Sequence, residues 1–124
     1  MTATIHVCQT CQDPDRVRAA GAGQATDLMA AVAAMLRNLP GSSDFRVVPQ
    51  ACMGPCGAGV RLAVTRPARW GWLFQGLRPG PDLEAFATFL SAWRAAPQGV
   101  LAKAQRPPRL LRKTVGRIPP SPPN

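Results

Sequence analysis

Hydrophobic and polar positions along this chain predict six elements. Ile5 and Val7 share one side of a short strand over Ala3 to Cys8, with the two-residue period of a strand that buries one face. A loop with Pro14 and Gly21-Ala22-Gly23 follows. Leu28, Val32, Met35, Leu36 and Leu39 then recur at helical spacing, with Thr26 as the expected N-cap, Asp27 placed against the helix dipole and Pro40-Gly41 as the stop. Phe45 to Pro49 reads as a second strand. Val60 to Thr65 and Trp70 to Phe74 read as a hairpin turning at Arg66-Pro67. Pro79-Gly80-Pro81-Asp82 opens a last helix, with Leu83, Phe86, Phe89, Leu90 and Trp93 at core spacing. The order is strand, helix, strand, strand, strand, helix.

That order is an α/β sandwich of thioredoxin-like type, and the 124 residues suffice for one such domain with a genuine core. The longest wholly apolar run, Leu28 to Leu36, is far too short to span a membrane. The N-terminal residues carry neither the basic nor the apolar region of an export signal, so a cytosolic setting is expected.

Charge divides the chain. The net charge is +9, from 15 Lys and Arg against 6 Asp and Glu. Residues 1–96 hold every acid; residues 97–124 hold Lys103, Arg106, Arg109, Arg112, Lys113 and Arg117 with no acid, and half of the 14 prolines. A proline-rich stretch of one sign builds no core of its own. The expected organisation is therefore a domain over 1–96 and a basic tail over 97–124. The tail should be extended, disordered or docked in part through Leu110-Leu111 and Val115 to Ile118. An acidic protein is the partner this charge suits, since complementary charge steers docking and sets its specificity. Nucleic acid is disfavoured, because the tail lacks interleaved aromatics and its prolines prevent a groove-reading helix.

The four cysteines form two close pairs, Cys8-Gln-Thr-Cys11 and Cys52-Met-Gly-Pro-Cys56. In a reducing compartment such pairs point to metal ligation or a redox dithiol rather than to structural disulfides. A strand-helix-strand crossover is right-handed and leaves its strands parallel, so their carboxyl ends meet at one sheet edge, where ligand sites of open α/β folds form. Cys8 ends the first strand and Cys52 follows the second, so both pairs are expected to open from that edge. Four thiolates suit tetrahedral zinc or a [2Fe–2S] cluster. Gly54, Gly57 and Gly59 would let backbone N–H groups approach the sulfurs under either metal. Thiol–disulfide exchange at Cys8 and Cys11 is a third reading. It leaves the second pair unexplained, and no helix follows the motif promptly enough to depress a thiol pKa.

The opening Ile5-His6-Val7-Cys8-x-x-Cys11, the Cys52 to Cys56 loop, the strand Arg69-Trp-Gly-Trp-Leu-Phe74 and the stretch from Leu111 to Pro120 together resemble an uncharacterised bacterial family. Its members are described as predicted metal-binding proteins related to thioredoxin-like [2Fe–2S] ferredoxins, some of them near cobalamin-synthesis genes. The resemblance places the family's metal positions on Cys8, Cys11, Cys52 and Cys56. Where the family often has a further cysteine, this chain has Val60. The resemblance tips the metal toward iron–sulfur, and the leading expectation is a cytosolic one-electron carrier rather than an enzyme, with a zinc- or cobalt-handling protein of a cobalamin pathway as the alternative.

Other candidates point elsewhere only faintly. Gly21-Ala22-Gly23 lacks the third glycine of a dinucleotide fingerprint. His6, the single histidine, shares strand parity with Cys8 and has no triad around it. Trp70, Trp72 and Phe74 beside Arg66 and Arg69 suit base stacking, but suit better a sheet face covered by helices.

Overall fold

The computed structural model describes residues 2–8, 24–50 and 60–120. Five strands, β1 (Ala3–Cys8), β2 (Phe45–Gln50), β3 (Arg61–Arg66), β4 (Arg69–Gln75) and β5 (Thr114–Ile118), and two helices, α1 (Gln24–Arg37) and α2 (Pro81–Ala95), make up the regular structure. The sheet order is β2-β1-β3-β4-β5. β1 and β2 are parallel, and every other neighbouring pair is antiparallel. The first four strands and two helices follow the expected order, and their sheet has the directions of a thioredoxin-like fold.

The helices pack against each other, so both cover one face of the sheet. Strand alternation sends Ile5, Val7, Leu62, Val64, Trp72 and Phe74 into that layer, where all are buried. Leu28, Val32 and Leu36 meet them from α1, and Leu83, Phe86, Phe89, Leu90 and Trp93 from α2. Thr4 and His6 alternate with the core residues of β1 and occupy the opposite face.

The first helix starts at Gln24, so Thr26 lies inside its first turn and is not the N-cap. Gln24 and Ala25 are good helix formers and extend it backwards. Asp27 keeps its place in the first turn. The hairpin turns at Pro67-Ala68, one residue later than expected, with Ala68 at φ 61°. A register shift between Val64 and Arg66 opposite β4 accompanies it.

The stretch expected as a tail is built into the domain as far as the described residues extend. Short 3-10 turns at Pro97–Gly99, Lys103–Gln105 and Pro108–Leu110 lead to β5, which pairs with β4. Of the two patches expected to dock, Leu110 does so fully, whereas Val115 stays exposed. The attachment of β5 is by backbone, not by that side chain. Gly99 locks the first turn: its φ is 78°, and a Cβ there would meet Arg69 Cγ and the Trp70 carbonyl oxygen at 2.6 Å. Its own carbonyl accepts the Trp72 indole N–H at 2.9 Å.

Asp82 ties the C-terminal stretch to α2. Its buried carboxylate accepts Arg109 Nε at 2.7 Å, Lys113 Nζ at 2.7 Å and the Arg78 backbone N–H at 2.9 Å. Burial alone would raise its pKa, but hydrogen bonds from Lys113, Arg78 and Arg109 and the Lys113 charge outweigh that and hold it below the ordinary carboxylate value. Its stabilisation is therefore complete above the unfolded pKa of about 3.9 and is lost as pH falls through the lower folded value. Asp82→Asn should cost about 2 kcal/mol near neutral pH, since hydrogen bonds to a charged group are at stake while both cations still reach solvent. Urea unfolding at neutral and acid pH checks this: the gap between wild type and variant should close below about pH 4.

Candidate metal centre

Three chain segments enter or leave the sheet beside one another at a single edge. Cys8, the last residue of β1, lies in register with Gln50, the last of β2. Because β3 runs antiparallel to β1, with Leu62 opposite Val7, it begins where β1 ends. The connections 9–23 and 51–59 therefore both start at this edge, and the second also returns to it, at Val60. Adjacent strands lie about 4.8 Å apart, so Cys8 stands between the end of β2 and the start of β3.

Cys8 is fully buried, and Val60 is buried beside β3. Cys11, Cys52 and Cys56, with Gly54, Gly57 and Gly59, fall outside the described residues. The parallel pairing of β1 and β2 that their convergence requires is observed. Among the described residues no group of three His, Cys, Asp or Glu side chains is arranged to hold a metal, and only Cys8 of the four expected ligands is among them. Cys8 supplies one buried thiol at the end of β1, flanked by the anchors of both cysteine-bearing connections, and a thiol is the donor that zinc and iron–sulfur sites take.

His6, two residues before Cys8, is held at both ring nitrogens. Its Nε2 lies 2.9 Å from Thr65 Oγ1 and its Nδ1 3.2 Å from Gln50 Oε1. With the Gln50 side-chain carbonyl accepting, Nδ1 is the donor and Nε2 accepts the Thr65 hydroxyl. The imidazole thus braces the ends of β1 and β2 rather than standing open as a ligand.

Trp72, Phe74 and Arg69 of β4 serve the core, whereas Trp70, expected on the same covered face, is half-buried with the Arg117 guanidinium over its ring at 4.9 Å. Trp72 and Phe74 are buried against Phe89 and Phe86, so their faces are closed to bases. Arg69 Nη1 donates to the carbonyls of Trp93 at 2.6 Å and Ala96 at 3.0 Å, capping the end of α2. Burial, then the nearby Arg66 charge, lower its pKa, though arginine stays protonated at neutral pH. Sequence reasoning missed two further polar groupings: the Asp82 cluster, and a set of polar residues on the open face that includes Thr4, His6, Arg46 and Thr65. The alternation of polar residues in β1 carries a signal for the second. Nothing local links Asp82 to Arg109.

Among the described residues no helix is long and apolar enough to cross a membrane. A family model described as "Protein of unknown function (DUF1636)" matches residues 5–120. No curated protein and no solved structure matches the chain.

Proposed function

The chain belongs to the DUF1636 family, and from that premise we propose that it is a small metal-binding protein, a ferredoxin-like one-electron carrier with a [2Fe–2S] cluster held by Cys8, Cys11, Cys52 and Cys56. The register of Cys8 with Gln50 carries this reading. It starts both cysteine-bearing connections from one edge, with Cys8 in the middle. Covalent reach permits convergence: Cys52 is two residues past Gln50 and Cys56 four before Val60, at no more than about 3.6 Å per residue. Gly54, Gly57 and Gly59 are the residues that would bring backbone N–H groups to the sulfurs. When bound, such a cluster supplies one-electron transfer, its potential set by hydrogen bonds and burial.

A cytoplasmic setting belongs to the same proposal, because a reducing compartment keeps the thiols from pairing as disulfides. So does docking of an acidic redox partner. Arg109 and Lys113 are engaged with Asp82 and Arg117 lies over the Trp70 ring, which leaves the exposed Lys103 and Arg112 to meet it.

Purification without oxygen, followed by iron and sulfide analysis and an absorption spectrum, tests the reading. The expected product is reddish-brown with about two irons and two sulfides per chain. A colourless protein with zinc and no iron would overturn the electron-carrier assignment in favour of a zinc- or cobalt-handling protein. A metal-free protein with a reversible Cys8–Cys11 disulfide would point to thiol exchange.

A further inference from the structure

The sheet face turned away from the helices carries a cleft of about 290 Å³, lined by Thr4, His6, Arg46, Thr65, Arg66 and Arg69 among others. Its lining includes no carboxylate. Arg46 and Arg66 on one cleft with no acid among its lining residues, and Arg69 lining it with its guanidinium turned to the end of α2, create a focused positive potential. The cleft is also ordered. Arg46 Nε donates to Thr4 Oγ1 at 3.1 Å, which fixes the direction of its guanidinium. The Thr65 hydroxyl is held by His6 at 2.9 Å. The Arg66 charge presses on Arg69 closely enough to lower its pKa after burial has done so, and Arg69 is itself anchored by the carbonyls at the end of α2. An anion placed here relieves that repulsion, and planar guanidinium forks match the oxygens of phosphate.

We propose that this cleft binds a small soluble oxyanion of the phosphate class, held by Arg46 and Arg66 with the Arg69 charge behind them. The volume lies at the lower end of small-molecule sites, which suits pyrophosphate or a compact phosphate monoester and is too confined for a polymer. None of these residues is a proposed metal ligand, so the inference stands apart from the cluster assignment.

Calorimetric titration of the full chain with inorganic pyrophosphate at fixed ionic strength tests it. Saturable one-to-one binding is expected. Arg46→Gln and Arg66→Gln should each weaken it about tenfold or more, the loss of one charge-assisted fork. Arg46 is exposed, so that variant should fold, and circular dichroism verifies it. Arg46→Lys should recover part of the affinity. Arg112→Gln removes the same charge from an exposed position in the turn before β5 and should stay within about twofold. Equal weakening by Arg112→Gln, or heats that never saturate, would overturn the site in favour of diffuse charge. Tighter binding to phosphatidylglycerol vesicles or to a single-stranded oligonucleotide, unaffected by Arg46→Gln, would overturn the assignment to a small soluble ligand. Backbone NMR shifts on adding pyrophosphate should centre on Thr4, His6 and Thr65.

Discussion

Phe89→Ala is expected to lower the unfolding free energy by about 4 kcal/mol, within the range for truncating a buried phenylalanine. The ring is fully buried and is the hub of the aromatic layer between α2 and the sheet. It meets Phe74 edge-on at 5.0 Å between centroids and Trp72 edge-on at 5.6 Å, and it lies parallel to Phe86 at 6.3 Å. Removing it forfeits both the transfer of the ring from water and three aromatic contacts, each worth about 1 kcal/mol beyond area. It also leaves a cavity that rigid neighbours fill only in part. Against a total stability of about 5–15 kcal/mol for a domain of this kind, such a loss shifts the urea midpoint far. Phe89→Leu, which keeps most of the apolar volume, should lose about 1–2 kcal/mol. Val115→Ala, at an exposed position of β5, should stay within about 0.5 kcal/mol. A loss below about 1 kcal/mol for Phe89→Ala would contradict the packing of this layer.

Cys52→Ser should abolish bound iron and the visible absorption while leaving the helix and sheet signals of the protein in place. A four-thiolate site has no spare ligand, and serine is a poor substitute for a soft thiolate. Cys11→Ser should behave alike. Cys8 requires a different comparison, because its side chain is fully buried. Serine there also buries a hydroxyl, costing about 1–3 kcal/mol if it finds no partner. Cys8→Ala avoids the hydroxyl, so loss of iron in a Cys8→Ala protein that still folds isolates the ligand role. Iron retained near the wild-type level in Cys52→Ser would exclude the four-cysteine site. Chelation of the wild-type protein should lower its melting temperature, because metal binding free energy is also folding free energy.

The core strands and helices were legible because their signals are local. Ile5 and Val7 alternate with Thr4 and His6, and the apolar stripe of α2 recurs at helical spacing between Leu83 and Trp93. Each reads as an amphipathic element before any tertiary contact is known. β5 was not legible. Its side chains alternate between half-buried and exposed, and prolines stand on both sides of it in a basic stretch. What makes it a strand is the free edge of β4, to which it hydrogen-bonds from Gly71 to Phe74. An edge strand draws its stability from backbone pairing, which leaves little trace in side-chain composition. The start of α1 was not legible at Thr26 for a related reason: a good capping residue lies within the first turn of a helix that Gln24 and Ala25 can already begin.

The candidate site divides along the same line. The two cysteine pairs are visible in the sequence, and one topological rule, the right-handed crossover, predicts that their strands are parallel. The observed register of Cys8 with Gln50 bears that strand pairing out. The sequence by itself therefore determined the six core elements, the buried faces of β1 and of both helices, and the strand ends from which the cysteine loops start. Only the tertiary structure decided what becomes of the positive charge. It set Arg109 and Lys113 against the buried Asp82, put Arg69 on the end of α2 and gathered Arg46 and Arg66 on the open face. The physical reason is range. Hydrophobic period and chain reversal act over a few residues and are written locally, whereas the partner of a charge is chosen by whichever distant segment the closed sheet brings within a few ångströms.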